Sequence, residues 1–181
     1  IDGAFVPSPR FLNRLDAMDW VEWVSEAGEE KMTLLPVRDD YAEHIVKNKI
    51  NIIDWLNIET GEHYMIGTIL DSIKRQLGRG IAIVAIQKAE GATAGRGGQF
   101  TKDFADLELL IDRFGANDAL LTIGKVKEST PNMAGLTYAY SIGQGVKIIN
   151  FRAVKKCPDC RGTGLKMGKE CEECLGRKYV N

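Results

Sequence analysis

Cys157-Pro158-Asp159-Cys160 and, ten residues later, Cys171-Glu172-Glu173-Cys174 hold all four cysteines of the chain. Two C-x-x-C pairs offer four soft thiolate donors, which can close a tetrahedron around one Zn²⁺ without any further ligand. Cys157, Cys160, Cys171 and Cys174 are therefore the expected metal ligands. The pairs sit in the only internal repeat, Cys157-x-x-Cys160-x-Gly162-x-Gly164 followed by Cys171-x-x-Cys174-x-Gly176. A glycine after each knuckle lets the backbone turn tightly and aim N–H groups at the sulfurs. Clustered thiols suit a reducing compartment, so a cytoplasmic protein without disulfides is expected. The body of the chain has no cysteine, and its chemistry must come from other side chains.

Three places in the body carry candidate chemistry. Asp54 ends the apolar run Ile50-Asn51-Ile52-Ile53. A carboxylate at the carboxyl end of a buried strand is placed to hold Mg²⁺, directly or through water; alone, it reads equally well as a solvated strand end. Gln87 ends the next apolar run, Ile81 to Ile86, where an amide can contact a phosphate or simply face solvent. Lys125 and Lys127 alternate in Ile123-Gly124-Lys125-Val126-Lys127 and so share a strand face, suited to a phosphate or to water.

The elements that must position these residues follow from periodicity. Ile50–Trp55 and Ile81–Ile86 read as buried strands. Between them His63–Leu77 has apolar residues at helical spacing and stops at Gly78 and Gly80. Strand, helix, strand with short connections is a βαβ unit, hence an α/β fold with a mostly parallel sheet. Residues 89–100 are Gly-rich and aperiodic, a mobile loop in expectation. Further strands are expected at Leu107–Ile111, Leu120–Val126, Tyr138–Ile142 and Val146–Phe151. The last two flank a hairpin turn at Gly143-Gln144-Gly145, so the sheet ends antiparallel. Upstream, Pro9–Met18 reads as a helix, Trp20–Val24 as a strand, and Asp39–Lys47 as a short helix capped by Asp39 or Asp40. His44 and His63 stand apart from any ligand cluster, and Trp20, Trp23 and Trp55 read as packing residues.

The chain has 181 residues, 44% hydrophobic and 27% charged, with a net charge of −1, the balance of an ordinary α/β domain with a small appendage. No apolar run approaches the roughly 20 residues of a membrane span, and Ile1-Asp2-Gly3-Ala4-Phe5 lacks the pattern of a signal peptide. From Phe151 onward, eight Lys/Arg face four Asp/Glu, against 16 and 21 in the rest. Four thiolates on Zn²⁺ carry about −2 and reduce this tail excess by half. The division expected is a body over 1–151, a basic linker over 152–156 and a zinc module over 157–181.

In order, an apolar strand ending in Asp54, a helix, an apolar strand ending in Gln87, a Gly-rich loop, Phe104-Ala105-Asp106-Leu107, and Lys125-x-Lys127 before Gly135 resemble the second half of the RecA-like ATPase core. The resemblance is to hexameric replicative helicases of the DnaB type and their phage relatives, over roughly residues 50–151. It implies that Asp54 is the Walker B aspartate and Gln87 the γ-phosphate sensor. Arg96, Gln99 and Lys102 would face single-stranded DNA, and Lys125 and Lys127 would reach a neighbouring subunit's nucleotide. It also implies a ring or filament, with ATP and Mg²⁺ in the complete protein. Trp55 stands where an acid often follows the Walker B aspartate, and Lys127 where helicases use Arg, whose planar fork Lys lacks. No Gly-x-x-x-x-Gly-Lys-Ser/Thr occurs. The expectation is that a P-loop lies upstream and that this 181-residue piece alone does not hydrolyse ATP.

The tail is similar to the zinc repeat of DnaJ-type chaperones, though its second copy reads Gly176-Arg177-Lys178 rather than Gly-x-Gly. Its zinc serves either to fold the tail alone or to present Arg161, Lys166, Lys169, Arg177 and Lys178 to a nucleic acid or another partner. The alternative for the whole chain is a non-catalytic nucleic-acid-binding or scaffold protein that kept an ATPase fold.

Overall fold

Residues 8–56 and 65–181 are described by a computed structural model. Helix α1 (Pro9–Asp16) starts where expected, with Pro9 in its first turn and the Ser8 hydroxyl accepting the Phe11 N–H at 3.2 Å. Its carbonyl at Leu15 accepts the Trp23 indole N–H at 3.2 Å. The strand expected over Trp20–Val24 is reduced to one bridge, Val24 to Glu30, because the chain turns at once through Gly28, with the Ser25 hydroxyl accepting the Glu29 N–H. Trp20 and Trp55 are more than half exposed, against the packing role expected of them. Lys147 Nζ lies 5.5 Å over the Trp20 ring and 3.2 Å from Asp19.

The helix expected over Asp39–Lys47 is a single 3₁₀ turn, Tyr41–His44, after Asp40. Asp40 has left-handed backbone (φ 47°) and makes no side-chain capping bond. Asn51 explains the early stop: its side chain accepts the Val46 N–H at 2.8 Å and donates to the Val46 and Lys49 carbonyls, holding the segment extended.

Strands β1 (Ile50–Ile53) and β2 (Ile81–Val84) pair in parallel, Ile50 with Ile81 through Ile53 with Val84. They are joined by a connection that carries α2 (Ile66–Gln76); His63 lies outside the described residues. The α2 residues Ile66, Ile69, Leu70 and Ile73 recur at helical spacing and pack with Tyr41, Leu56, Ile53 and Val84 into one core. The other face of the pair is bare: Ile50, Ile52, Ile81 and Ile83 are each more than half exposed. Parallel strands ordinarily bury both faces.

The mostly parallel sheet expected from the sequence is limited, among the described residues, to this pair. A five-stranded antiparallel sheet follows, in the order β3 (Leu107–Phe114), β4 (Asp118–Val126), β5 (Thr137–Gly143), β6 (Lys147–Lys156) and β9 (Tyr179–Val180). The short β3–β4 and β5–β6 connections decide this for those two pairs, because a hairpin loop joins only antiparallel neighbours. At the β5–β6 turn, Gln144 (φ 53°) and Gly145 (φ 76°) both have left-handed backbone, as the central residues of a type I′ turn closed by the Val146 N–H on the Gly143 carbonyl demand. Arg152–Lys156, expected as a linker, instead complete β6, with Val154 buried opposite Thr137. Within the sheet, Asp118 accepts bonds from Ser141 (2.6 Å) and Arg152 (2.7 Å), which hold its carboxyl below the usual range. Phe114, Leu120, Ala139 and Val154 form the buried cluster, with Tyr179 packed on it edge-on to Phe114.

A candidate metal centre and the candidate nucleotide residues

The four cysteine sulfurs lie within 4.8 Å of one another, and all four residues are buried. Cys157 and Cys171 sulfurs are 3.9 Å apart, Cys160 and Cys174 sulfurs 3.6 Å. Disulfide sulfurs would be about 2.05 Å apart. A tetrahedron with Zn–S bonds of about 2.3 Å has S···S edges of about 3.8 Å, so the cluster fits a Zn²⁺ site.

The electrostatics of the cluster call for a cation. Burial pushes the Cys160 thiol up, but the Gly164 and Gly162 N–H groups and the neighbouring sulfurs outweigh it and bring it down to about 6. At Cys171 the Cys174 N–H favours the thiolate, yet burial and the Cys174 and Cys157 sulfurs prevail, and the thiol is pushed up to about 12. Cys174 is raised as well, chiefly by burial. Cys160 readily carries charge here; a metal ion would supply the positive charge that favours the thiolate at Cys171 and Cys174 as well.

A shift of 14 residues maps one half of the module onto the other. The Cys171 N–H donates to the Gly164 carbonyl and the Cys157 N–H to the Lys178 carbonyl, both at 2.9 Å. The Thr163 N–H bonds the Cys160 carbonyl at 3.1 Å, and the Arg177 N–H bonds the Cys174 carbonyl at 3.0 Å. The Gly164 N–H donates to the Cys160 sulfur at 3.3 Å, and the Lys178 N–H lowers the Cys174 thiol in the same way. Arg161 and Gly162 have left-handed backbone, as do Leu175 and Gly176. Lys178 (φ 71°) occupies the place of Gly164 (φ 79°), so the glycine absent from the second repeat is absent only as a residue type, and its backbone geometry is kept.

The same shift relates two arms. In one, β9 pairs with the end of β6, Tyr179 with Lys156 and Val180 with Lys155, which docks the module on the body's sheet. In the other, β7 (Leu165–Lys166) pairs with β8 (Lys169–Glu170), Leu165 with Glu170 and Lys166 with Lys169. All four residues of this second arm are exposed.

In the body, Asp54 and Gln87 are exposed and both emerge from the carboxyl end of the β1–β2 pair. Beyond the strands, the Ala85 N–H bonds the Ile53 carbonyl and the Leu56 N–H bonds the Ala85 carbonyl, both at 2.9 Å, so the two chains stay in register past Asp54. The segment expected as a mobile loop is tied down. Asp112 accepts the Lys88 ammonium at 2.5 Å and the Gly91 N–H at 3.1 Å. The Gln87 carbonyl accepts the Arg96 N–H at 2.8 Å. A Cβ on Gly97 would come within 2.8 Å of Ile66 Cγ2, so only glycine lets the loop rest on α2. Arg96 is exposed. Gln99 opens helix α3 (Gln99–Phe104) rather than ending a loop, and its side chain bonds Asp103 at 2.7 Å.

Lys102, Lys125 and Lys127 are brought together at one corner. Lys125 Nζ donates to the Lys102 carbonyl at 2.5 Å, Lys102 Nζ lies 3.7 Å from Glu108, and Lys127 Nζ lies 3.7 Å from Asp106. Lys125 and Lys127 are thus engaged within the chain instead of standing free on a strand edge. Glu108 and Asp106 were not singled out in the sequence; the buried Glu108 Oε2 accepts no hydrogen bond among the described residues. For Glu108 the available signal was its place directly opposite Lys125 across the β3–β4 pair. Among the described residues, no helix is long and apolar enough to cross a membrane.

No family model, curated protein or solved structure matches the chain.

Proposed function

We propose that this chain is the phosphate-sensing and DNA-facing half of a RecA-like, ATP-dependent motor acting on single-stranded DNA, with a zinc module at its end. The observation that carries this reading is the parallel β1–β2 pair, which delivers Asp54 and Gln87 to one shared carboxyl edge. Ligands of open α/β sheets bind off that edge. Asp54 would hold Mg²⁺, and Gln87 would report phosphate loss through the Arg96 N–H bonded to its own carbonyl. That bond gives the Gly-rich segment a direct tie to the candidate sensor. Lys125 and Lys127 would serve a neighbouring subunit's nucleotide in a ring or filament, after release from Lys102 and Asp106. The bare isoleucine face of the pair is consistent with a layer that receives a further element, such as one bearing a P-loop. The cysteine cluster holds Zn²⁺ in a structural role, since four protein ligands leave no open position for chemistry.

The test is ATP hydrolysis by the whole gene product, with and without single-stranded DNA. Stimulated turnover is expected, abolished by Asp54→Ala and reduced by Lys125→Ala. Turnover indifferent to Asp54→Ala, or no turnover at all, overturns the motor reading and leaves a binding or scaffold protein.

A further inference from the structure

The two arms of the zinc module share one backbone plan and differ in what their side chains do. The docked arm is locally content: Tyr179 lies on Phe114, and Val180 packs against the cysteines. The free arm ends in the two-residue turn Lys166-Met167-Gly168-Lys169, and three choices there oppose stability. Met167 takes left-handed backbone (φ 51°) at a turn position that favours Asn or Gly. Its apolar side chain is 97% exposed. Lys166 stands directly opposite Lys169, and like charges across a strand pair repel. Lys166 has an ion pair with Asp159, whereas Lys169 has none among the described residues. The docked arm places Val180 opposite Lys155 at the equivalent positions, so the module's fold does not require the conflict. Local choices that oppose the fold mark functional positions.

We propose that this tip is a contact for single-stranded nucleic acid: one phosphate lies between Lys166 and Lys169, and Met167 rests on the face of an adjacent base. A shared anion turns the lysine pair from a repulsion into a clamp. A polarisable thioether against an aromatic face gives the exposed methionine a partner. The commitment to a single strand follows from geometry, since one four-residue tip meets a phosphate and a base face together only where bases are unstacked. This inference rests on the single-stranded nucleic-acid part of the proposed function and not on its nucleotide site.

The experiment is fluorescence anisotropy of a labelled oligodeoxythymidine titrated with the zinc-loaded full chain across a salt series. Met167→Gly is expected to weaken binding about three- to tenfold while raising thermal stability, which separates lost contact from lost fold. Lys166→Gln with Lys169→Gln is expected to reduce the log–log salt slope by about 0.7, the amount for one phosphate neutralised on a single strand. Wild-type binding left unchanged by both variants overturns the tip while sparing the single-stranded reading. Absence of wild-type binding overturns both. Tighter, tip-dependent binding of a duplex of the same length overturns the commitment to a single strand.

Discussion

Four sulfurs, none more than 6% exposed, organise residues 157–181, whereas the β1–α2–β2 layer is held by Ile66 and Ile73 pressed onto one side of two strands. The module's order radiates from a centre that its own residues complete: ligands, N–H donors to sulfur and two arms all come from a 14-residue repeat. The layer is one-sided. Its inner face is a core, and its outer face shows four isoleucines between 56% and 71% exposed. A metal centre can replace a hydrophobic core in a unit too small to bury one, because coordination energy does not scale with area. An apolar sheet has no such shortcut and stays incomplete until its second face is covered.

This contrast is broken most severely by taking the metal's ligands away. Cys171→Ser, or chelation of the wild type, should forfeit on the order of 10 kcal/mol of metal-derived folding free energy in the module. The expected readout is collapse of NMR dispersion over 157–181, Tyr179 included, with the Ile66–Ile73 signals retained. Loss of both regions together would show that the module and the layer are one cooperative unit. The reciprocal change, Ile73→Ala, should cost about 2–5 kcal/mol in urea unfolding, since Ile73 is 2% exposed, and should leave zinc stoichiometry intact. A smaller effect sharpens the repeat itself. Lys178→Gly should stabilise the module by about 1 kcal/mol in thermal melts by relieving left-handed backbone at a non-glycine residue. Gly164→Ala should destabilise it, because a Cβ there would lie 2.6 Å from the Gly176 carbonyl oxygen. Equal responses at both positions would mean that the two halves are not built alike.

What was legible in the sequence was what neighbours in the chain decide. The C-x-x-C pairs, the helical spacing of Ile66, Ile69 and Ile73, the two apolar strands and the Gly143-Gln144-Gly145 turn all reappear in the structure. Arg152–Lys156 misled because basic residues at an exposed strand end look the same as a linker; only pairing with β5 and β9 distinguishes them. Lys178 misled because a repeat read by residue type misses a lysine that adopts a glycine's backbone. Lys125 and Lys127 were placed at the right strand end, but the Lys102 carbonyl of α3 and the Asp106 carboxylate decide what holds their ammonium groups.

The sequence by itself determined the four-cysteine cluster and the periodicity of the layer, since both depend on spacings of a few residues that the backbone geometry fixes. Tertiary structure alone decided that one arm of the module docks and the other stands free, and that the Lys102 carbonyl and Asp106 engage Lys125 and Lys127. Those outcomes depend on which surfaces meet across long stretches of chain. Tyr179 reaches Phe114 from 65 residues away, a contact that no local spacing encodes.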